Sequence, residues 1–153
     1  MKKLLLIASV FAVLVACKSE KSEEGDASEG VQIGAKKSST SKADLKVSME
    51  NGQDLYTSLC VACHMATGEG VKGAFPPLAG SDWLVDKRAE SIHSVKYGQQ
   101  GEIVVNGETY NGVMAPLGLS DKEVADVLNY VMNSWGNTQD KMVTEEEVKS
   151  VQK

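Results

Sequence analysis

Two cysteines and a histidine fall within five residues of "LYTSLCVACHMATGEG", as Cys60, Cys63 and His64. The whole chain has three cysteines and two histidines, so this cluster holds most of its thiol and imidazole chemistry. Two sulfurs one helical turn apart can meet two neighbouring vinyl groups on a porphyrin edge. The next residue, His64, can then turn its imidazole under the iron. CxxCH is the attachment motif of a c-type haem. Three other chemistries compete for these residues. A structural zinc site needs four ligands, and beyond the cluster the chain offers only Cys17, His93 and carboxylates. A thioredoxin-like redox pair needs a βαβ surrounding, and no such alternation is present. A disulfide between residues i and i+3 of one helix would be strained.

An iron held by one histidine needs a sixth ligand, a substrate or a vacancy. His93 shares a polar helical face with Glu90, Asp86 and Asp82, opposite Val85, Ala89 and Ile92, and is expected at the surface. Met65 is bonded to His64 and cannot reach the other side of the ring. Met132 belongs to an apolar stripe, Met49 opens a helix, Met142 lies in the tail and Met1 is removed with the leader. Met114 stands in the irregular loop "YNGVMAPLG", where a flexible thioether can be presented to a metal. Paired His64 and Met114 ligation fills both axial sites and favours electron transfer over substrate binding. A haem enzyme or gas sensor with a displaceable sixth ligand is the alternative.

The elements that must place these residues are short. Ser48 can cap a helix over about Met49 to Ala62, with Leu55, Tyr56, Leu59 and Cys63 at helical spacing. The Gly- and Pro-rich "ATGEGVKGAFPPLAG" follows as a loop. A second helix is expected from about Asp82, ending before Gly98. "GEIVVNGETYNG" reads as a hairpin turning at Asn106-Gly107. In "SDKEVADVLNYVMNSWG", Ser120 and Glu123 form a capping box, and Val124, Val127, Leu128, Val131, Met132 and Trp135 make an apolar stripe. After Asn137, "TEEEVKSVQK" holds a short helix or nothing stable.

Taken together, "GQDLYTSLCVACH", "FPPLAG", "YNGVMAP" and the final amphipathic helix ending at Trp135 resemble class I cytochrome c across residues 48–137. The "GEIVVNGETYNGVMAP…NYVMNSWGN" portion is further similar to c-type domains associated with copper nitrite reductases and some haem–copper oxidases. The resemblance implies an all-α class I cytochrome c fold: three main helices around one covalent haem c, with a small hairpin before the Met loop. It implies thioethers at Cys60 and Cys63 and axial ligands His64 and Met114. It also implies a hydrogen bond from the His64 ring to the Pro76 carbonyl, with Pro77 as the alternative acceptor. Gly52 and Tyr56 match the family's packing of first helix on last. Ala115 stands where proline commonly follows the ligand methionine. A segment of 90 residues buries only ~60–65% of its unfolded surface, so a covalent porphyrin would supply much of the missing core.

The N-terminus adds an address. Lys2 and Lys3 precede the apolar run Leu4 to Ala16, too short to span a bilayer but suited to a signal peptide. Leu14-Val15-Ala16-Cys17 resembles the bacterial lipoprotein box, which implies cleavage after residue 16 and acylation of Cys17. Residues 17–47 then read as lipidated cysteine and disordered tether, being mostly Ser, Gly, Lys, Glu and Asp with no aromatic residue. The expected organisation is thus leader 1–16, tether 17–47, cytochrome domain 48–137 and tail 138–153. Without the leader, 14 basic side chains face 21 acidic ones, a net charge of −7 that argues against nucleic acid as a partner. The expected protein is an electron carrier, not an enzyme, anchored by lipid to a bacterial membrane and facing the periplasm. It would pass single electrons from a quinol-oxidising complex or another cytochrome to a terminal reductase or oxidase, as a free shuttle or as a fixed subunit of a respiratory complex.

Overall fold

The computed structural model describes residues 41–139 and 141–153. The expected leader, the acylated Cys17 and most of the tether lie outside the described residues. Among the described residues no helix is long and apolar enough to cross a membrane.

Among the described residues, six helices and one hairpin follow in the order α1 (Lys42–Leu59), α2 (Val61–His64), α3 (Asp82–Asp86), α4 (Arg88–Tyr97), β1 (Ile103–Val105), β2 (Glu108–Tyr110), α5 (Asp121–Val131) and α6 (Glu145–Ser150). The mostly helical architecture with one small hairpin is the expected class I arrangement. Helix α1 starts earlier than expected. Its cap is Ser41, whose side chain accepts from the Asp44 N–H while the Asp44 carboxylate accepts from the Ser41 N–H. That reciprocal pair satisfies two orphan donors, and it brings residues 42–47, expected in the tether, into the helix. Ser48 is therefore no cap. It is buried and donates to Asp126 Oδ1 at 2.6 Å.

The core is the crossing of α1 on α5. Gly52 lies against the Asp126 carbonyl and the Tyr130 Cβ, where any side chain would collide. Tyr56, 1% exposed, packs its ring 5.5 Å from Tyr130 and 4.9 Å from Trp135. Both residues thus perform the packing that the family resemblance implied. Helix α5 carries the expected Ser120–Glu123 capping box, and Val124, Val127, Leu128, Val131 and Met132 are buried. The helix stops at Val131, so Trp135 reaches the core from a turn, with φ 52, rather than from the helical stripe. Polar residues of α5 are buried as well. Asn129 donates to Ser48 Oγ and to the Val143 carbonyl, and accepts from the Val143 N–H.

The expected second helix is present at both ends but broken at Lys87 into α3 and α4. The hairpin pairs Ile103 with Tyr110 and Val105 with Glu108, and both turn residues have positive φ, Asn106 at 51° and Gly107 at 77°. Such a turn matches the twist of the flanking strands. The tail is a structural part of the domain: Val143 and Val148 are fully buried in the core cluster.

Candidate functional site

A cleft of about 260 Å³ opens between α4, α5, the hairpin and the Gly/Pro loop. Its wall is chiefly apolar, with Leu84, Val95, Val127, Leu128 and Val131 from the helices and Ile103, Val105 and Tyr110 from the hairpin. Cys60, Cys63, His64, Pro76, Pro77 and Met114 line the same cleft. Among the methionines and histidines of the described residues, His64 and Met114 alone do so. Met132 is buried in the core, with its sulfur 3.9 Å from Arg88 Nη1, and Met49 lines a separate shallow depression beside Tyr130. His93 is half-buried rather than exposed, its ring 5.2 Å from that of Tyr97.

The cysteines sit at a break between helices. The Cys60 N–H bonds to the Tyr56 carbonyl (2.9 Å) and closes α1, while Cys63 and His64 ride on the single turn α2. Met65, with φ 64, ends that turn. Its carbonyl accepts from the buried Tyr56 hydroxyl at 2.6 Å, and burial raises the Tyr56 phenol far above its ordinary range. The Cys60 thiol, while free, is pushed up to about 11 by burial and by the neighbouring Cys63. Among the described residues no three His, Cys, Asp or Glu side chains gather into a metal-holding group, as a structural zinc site would require.

His64 Nδ1 lies 3.0 Å from the Pro76 carbonyl. A carbonyl only accepts, so Nδ1 carries the proton and Nε2 keeps its lone pair free for a metal. Burial lowers the His64 pKa, which the bond to Pro76 partly opposes; the neutral, ligating form is favoured. Pro76, not Pro77, is the acceptor. Its carbonyl lies close against Gly70, whose φ of 64° lets the chain pass where a Cβ would meet Pro76 O at 2.6 Å. The Gly70 N–H also bonds to the His64 carbonyl at 3.0 Å. Farther along the loop, the Leu78 and Ala79 N–H groups share the Gly68 carbonyl, and Asn137 donates to Leu78 O and accepts from Gly80 N.

Met114 is half-buried, and its main chain is pinned. Gln99 and Met114 exchange both N–H···O bonds at 2.9 Å, an isolated antiparallel bridge. Gly98 makes this possible, since with φ 88 a Cβ there would lie 2.7 Å from Met114 O and 3.0 Å from Pro116 Cδ. Neither Gln99 nor Gly70 stood out in the sequence, since the positive φ of Gly70 and Gly98 is visible only in the folded chain.

The donors along the cleft — two thiols, an imidazole with Nε2 free, a thioether — together with its apolar wall suit a covalently attached porphyrin iron. Comparison with known proteins agrees. The cytochrome c family model matches residues 49–135. The chain is 40% identical over 116 residues to cytochrome c-552 of Thermus thermophilus, covering 70% of this chain and 78% of that protein. It is 34% identical over 100 residues to the cytochrome c subunit of alcohol dehydrogenase (quinone) from Gluconacetobacter polyoxogenes, covering 63% of this chain and 21% of the relative. It is 31% identical over 119 residues to the gluconate 2-dehydrogenase cytochrome c subunit of Pantoea cypripedii, covering 68% and 24%. The chain therefore belongs to the cytochrome c family, as a monohaem class I electron-transfer protein with covalent haem c and redox proteins for partners.

Proposed function

We propose that Cys60 and Cys63 carry the haem as thioethers, and that His64 and Met114 are its axial ligands in a single-electron carrier. One observation supports this most strongly: His64, Met114 and both cysteines line a single apolar cleft. When bound there, the iron supplies one-electron chemistry by cycling between its ferric and ferrous states. The chain's own residues hold and tune. Pro76 O fixes the His64 ring and raises its donor strength, since such outer bonds orient a ligand and increase its basicity. The Gln99–Met114 bridge fixes the main chain that presents the thioether. Intact-mass measurement of protein matured in a competent host tests the attachment, and bare polypeptide would refute it. The long-wavelength ferric charge-transfer band of sulfur-ligated iron tests Met114. That band should be present in the wild type and lost in Met114→Ala. Its absence from the wild type, with fast carbon monoxide binding, would favour an enzyme or sensor instead.

The finer reading concerns place and partner. The lipoprotein-like N-terminus supports a protein anchored through Cys17 to a bacterial membrane, with its domain in the periplasm. With α1 starting at Lys42, a tether of about two dozen residues remains, which at ~5–6 Å × √n reaches roughly 25 Å on average, so the domain can swing between partners. Residues 48–137 carry 11 acidic and 5 basic side chains, which favours partners with a basic docking surface. The likeness of two motifs to nitrite-reductase- and oxidase-associated domains supports such a terminal acceptor. The relatives that are cytochrome c subunits of alcohol dehydrogenase (quinone) and of gluconate 2-dehydrogenase favour a second reading, a fixed subunit of a dehydrogenase. Gentle detergent solubilisation followed by sizing separates a free carrier from a subunit. Substrate-driven oxidation by nitrite reductase or oxidase preparations, weakening with salt, identifies the acceptor.

A further inference from the structure

The tail does not line the cleft, yet it is bonded to both ends of α4, the helix whose exit holds Met114. At the start of α4, Arg88 donates from Nε and Nη2 to the Glu147 carboxylate at 2.7 and 2.9 Å, and from Nη1 to Gln139 Oε1 at 2.7 Å. At its end, Tyr97 Oη donates to the Val151 carbonyl at 3.2 Å. Beside it, Lys96 Nζ donates to the Val148 carbonyl and pairs with Asp121 at the head of α5, each at 2.9 Å. Lys96 is a half-buried hub, its ammonium also 5.1 Å from the centre of the Tyr97 ring. Two residues on, Gly98 has passed in contact with Met114 O and Gln99 bonds to Met114 on both sides of its peptide. The end of α4 and the main chain of Met114 therefore move together.

We propose that Lys96 is a positioning residue for Met114: by tying the end of α4 to the tail and to α5, it sets how readily the thioether leaves the iron. The proposal rests on the reading of Met114 as sixth ligand. Local opening of a segment is governed by the bonds that must break in that opening, not by those of the whole domain. Lys96 supplies two of them at the one point where α4 turns toward Met114. Losing both raises the open population roughly tenfold, each loss contributing the roughly threefold effect of one modest net hydrogen bond. The tail thereby gains a role in the redox site that it nowhere touches.

The test is Lys96→Met in the ferric holoprotein, which removes the ammonium and keeps an apolar stem against Tyr97. Added imidazole can bind the iron only after the thioether departs, so its binding should speed up roughly tenfold. On heating, the long-wavelength sulfur–iron band should vanish several degrees before the helical signal in the variant, and closer to it in the wild type. Ser41→Ala is the control; it removes the cap of α1, whose side chain pairs with Asp44, and lowers stability without disturbing the Lys96 partners. It should leave imidazole binding nearly unchanged. Equal acceleration in Lys96→Met and Ser41→Ala, or none in either, overturns the proposal. If Lys96→Met does not yield folded protein, Tyr97→Phe removes the neighbouring tail bond and should accelerate binding roughly threefold. An unchanged rate there would be equally fatal. A wild type without the band overturns the Met114 reading and this proposal with it, whereas a normal band with unaltered rates overturns this proposal alone.

Discussion

Gly70 and Gly73 provide a matched pair for measuring how tightly the Pro76 carbonyl is held against His64. Both have positive φ, 64° and 74°, so an alanine at either pays the left-handed penalty of ~1–2 kcal/mol, partly offset by a stiffer unfolded chain. There the likeness ends. A Cβ at Gly73 meets nothing within 4 Å, whereas at Gly70 it falls on the carbonyls of Phe75 and Pro76. Those are backbone atoms, so the loop must shift. Gly73→Ala should therefore cost about 1 kcal/mol. Gly70→Ala adds an overpacking cost of ~1–3 kcal/mol and the loss of the His64–Pro76 bond, ~1 kcal/mol, for a total of about 3–5 kcal/mol. Urea unfolding of the two haem-loaded variants reads the difference. Reduction potentials read its chemical side: without the Pro76 carbonyl the imidazole donates less to iron, ferric iron is less stabilised, and the potential of Gly70→Ala should rise while that of Gly73→Ala stays near the wild type. Equal stabilities within about 0.5 kcal/mol, with equal potentials, would refute the claim that Gly70 positions Pro76.

Three further outcomes are expected. Gly52→Ala should destabilise by more than about 3 kcal/mol in thermal melts of the holoprotein, because its methyl would strike the Asp126 main chain at the centre of the α1–α5 crossing. The Arg88 guanidinium, hydrogen-bonded to Glu147, holds that carboxyl below its ordinary 4.5. The tail's attachment is thus at full strength above that value and is lost as pH falls through the lower folded one. Protection of the α6 amides, taken relative to their intrinsic exchange rate at each pH, should fall in that acidic window, and Glu147→Gln should remove this pH dependence. A chain with Cys60 and Cys63 both changed to alanine, lacking haem, should show no cooperative melt by circular dichroism, since the walls of the cleft would then face water.

What could be read from the sequence was local. The CxxCH cluster, the Asn106-Gly107 turn and the Ser120–Glu123 box declare themselves within a few residues, because each is a short-range solution to a short-range problem. The start of α1 was also written locally, as Ser41 and Asp44, but the polar composition around it spoke for a tether. What packing decides was out of reach. Val143 and Val148 are two valines in an acidic stretch with no stripe to announce them, yet both end fully buried. Asn129 and Asp126 sit among the apolar positions of α5 and are buried because α1 and the tail supply Ser48 and Val143 as partners. Of the site, Met114 could be found by elimination among six methionines, but the residues that hold it, Gly98 and Gln99, could not. A helix stop and an ordinary glutamine acquire meaning only when a distant loop lies beside them.

The bridge between Gln99 and Met114 has one more consequence. It is made wholly of peptide groups, so any side chain but proline at position 114 leaves both of its hydrogen bonds available. A single-codon exchange there could alter the electronic character of the centre while the surrounding scaffold stands. In lineages descended from such a chain, redox tuning and foldability could diverge independently.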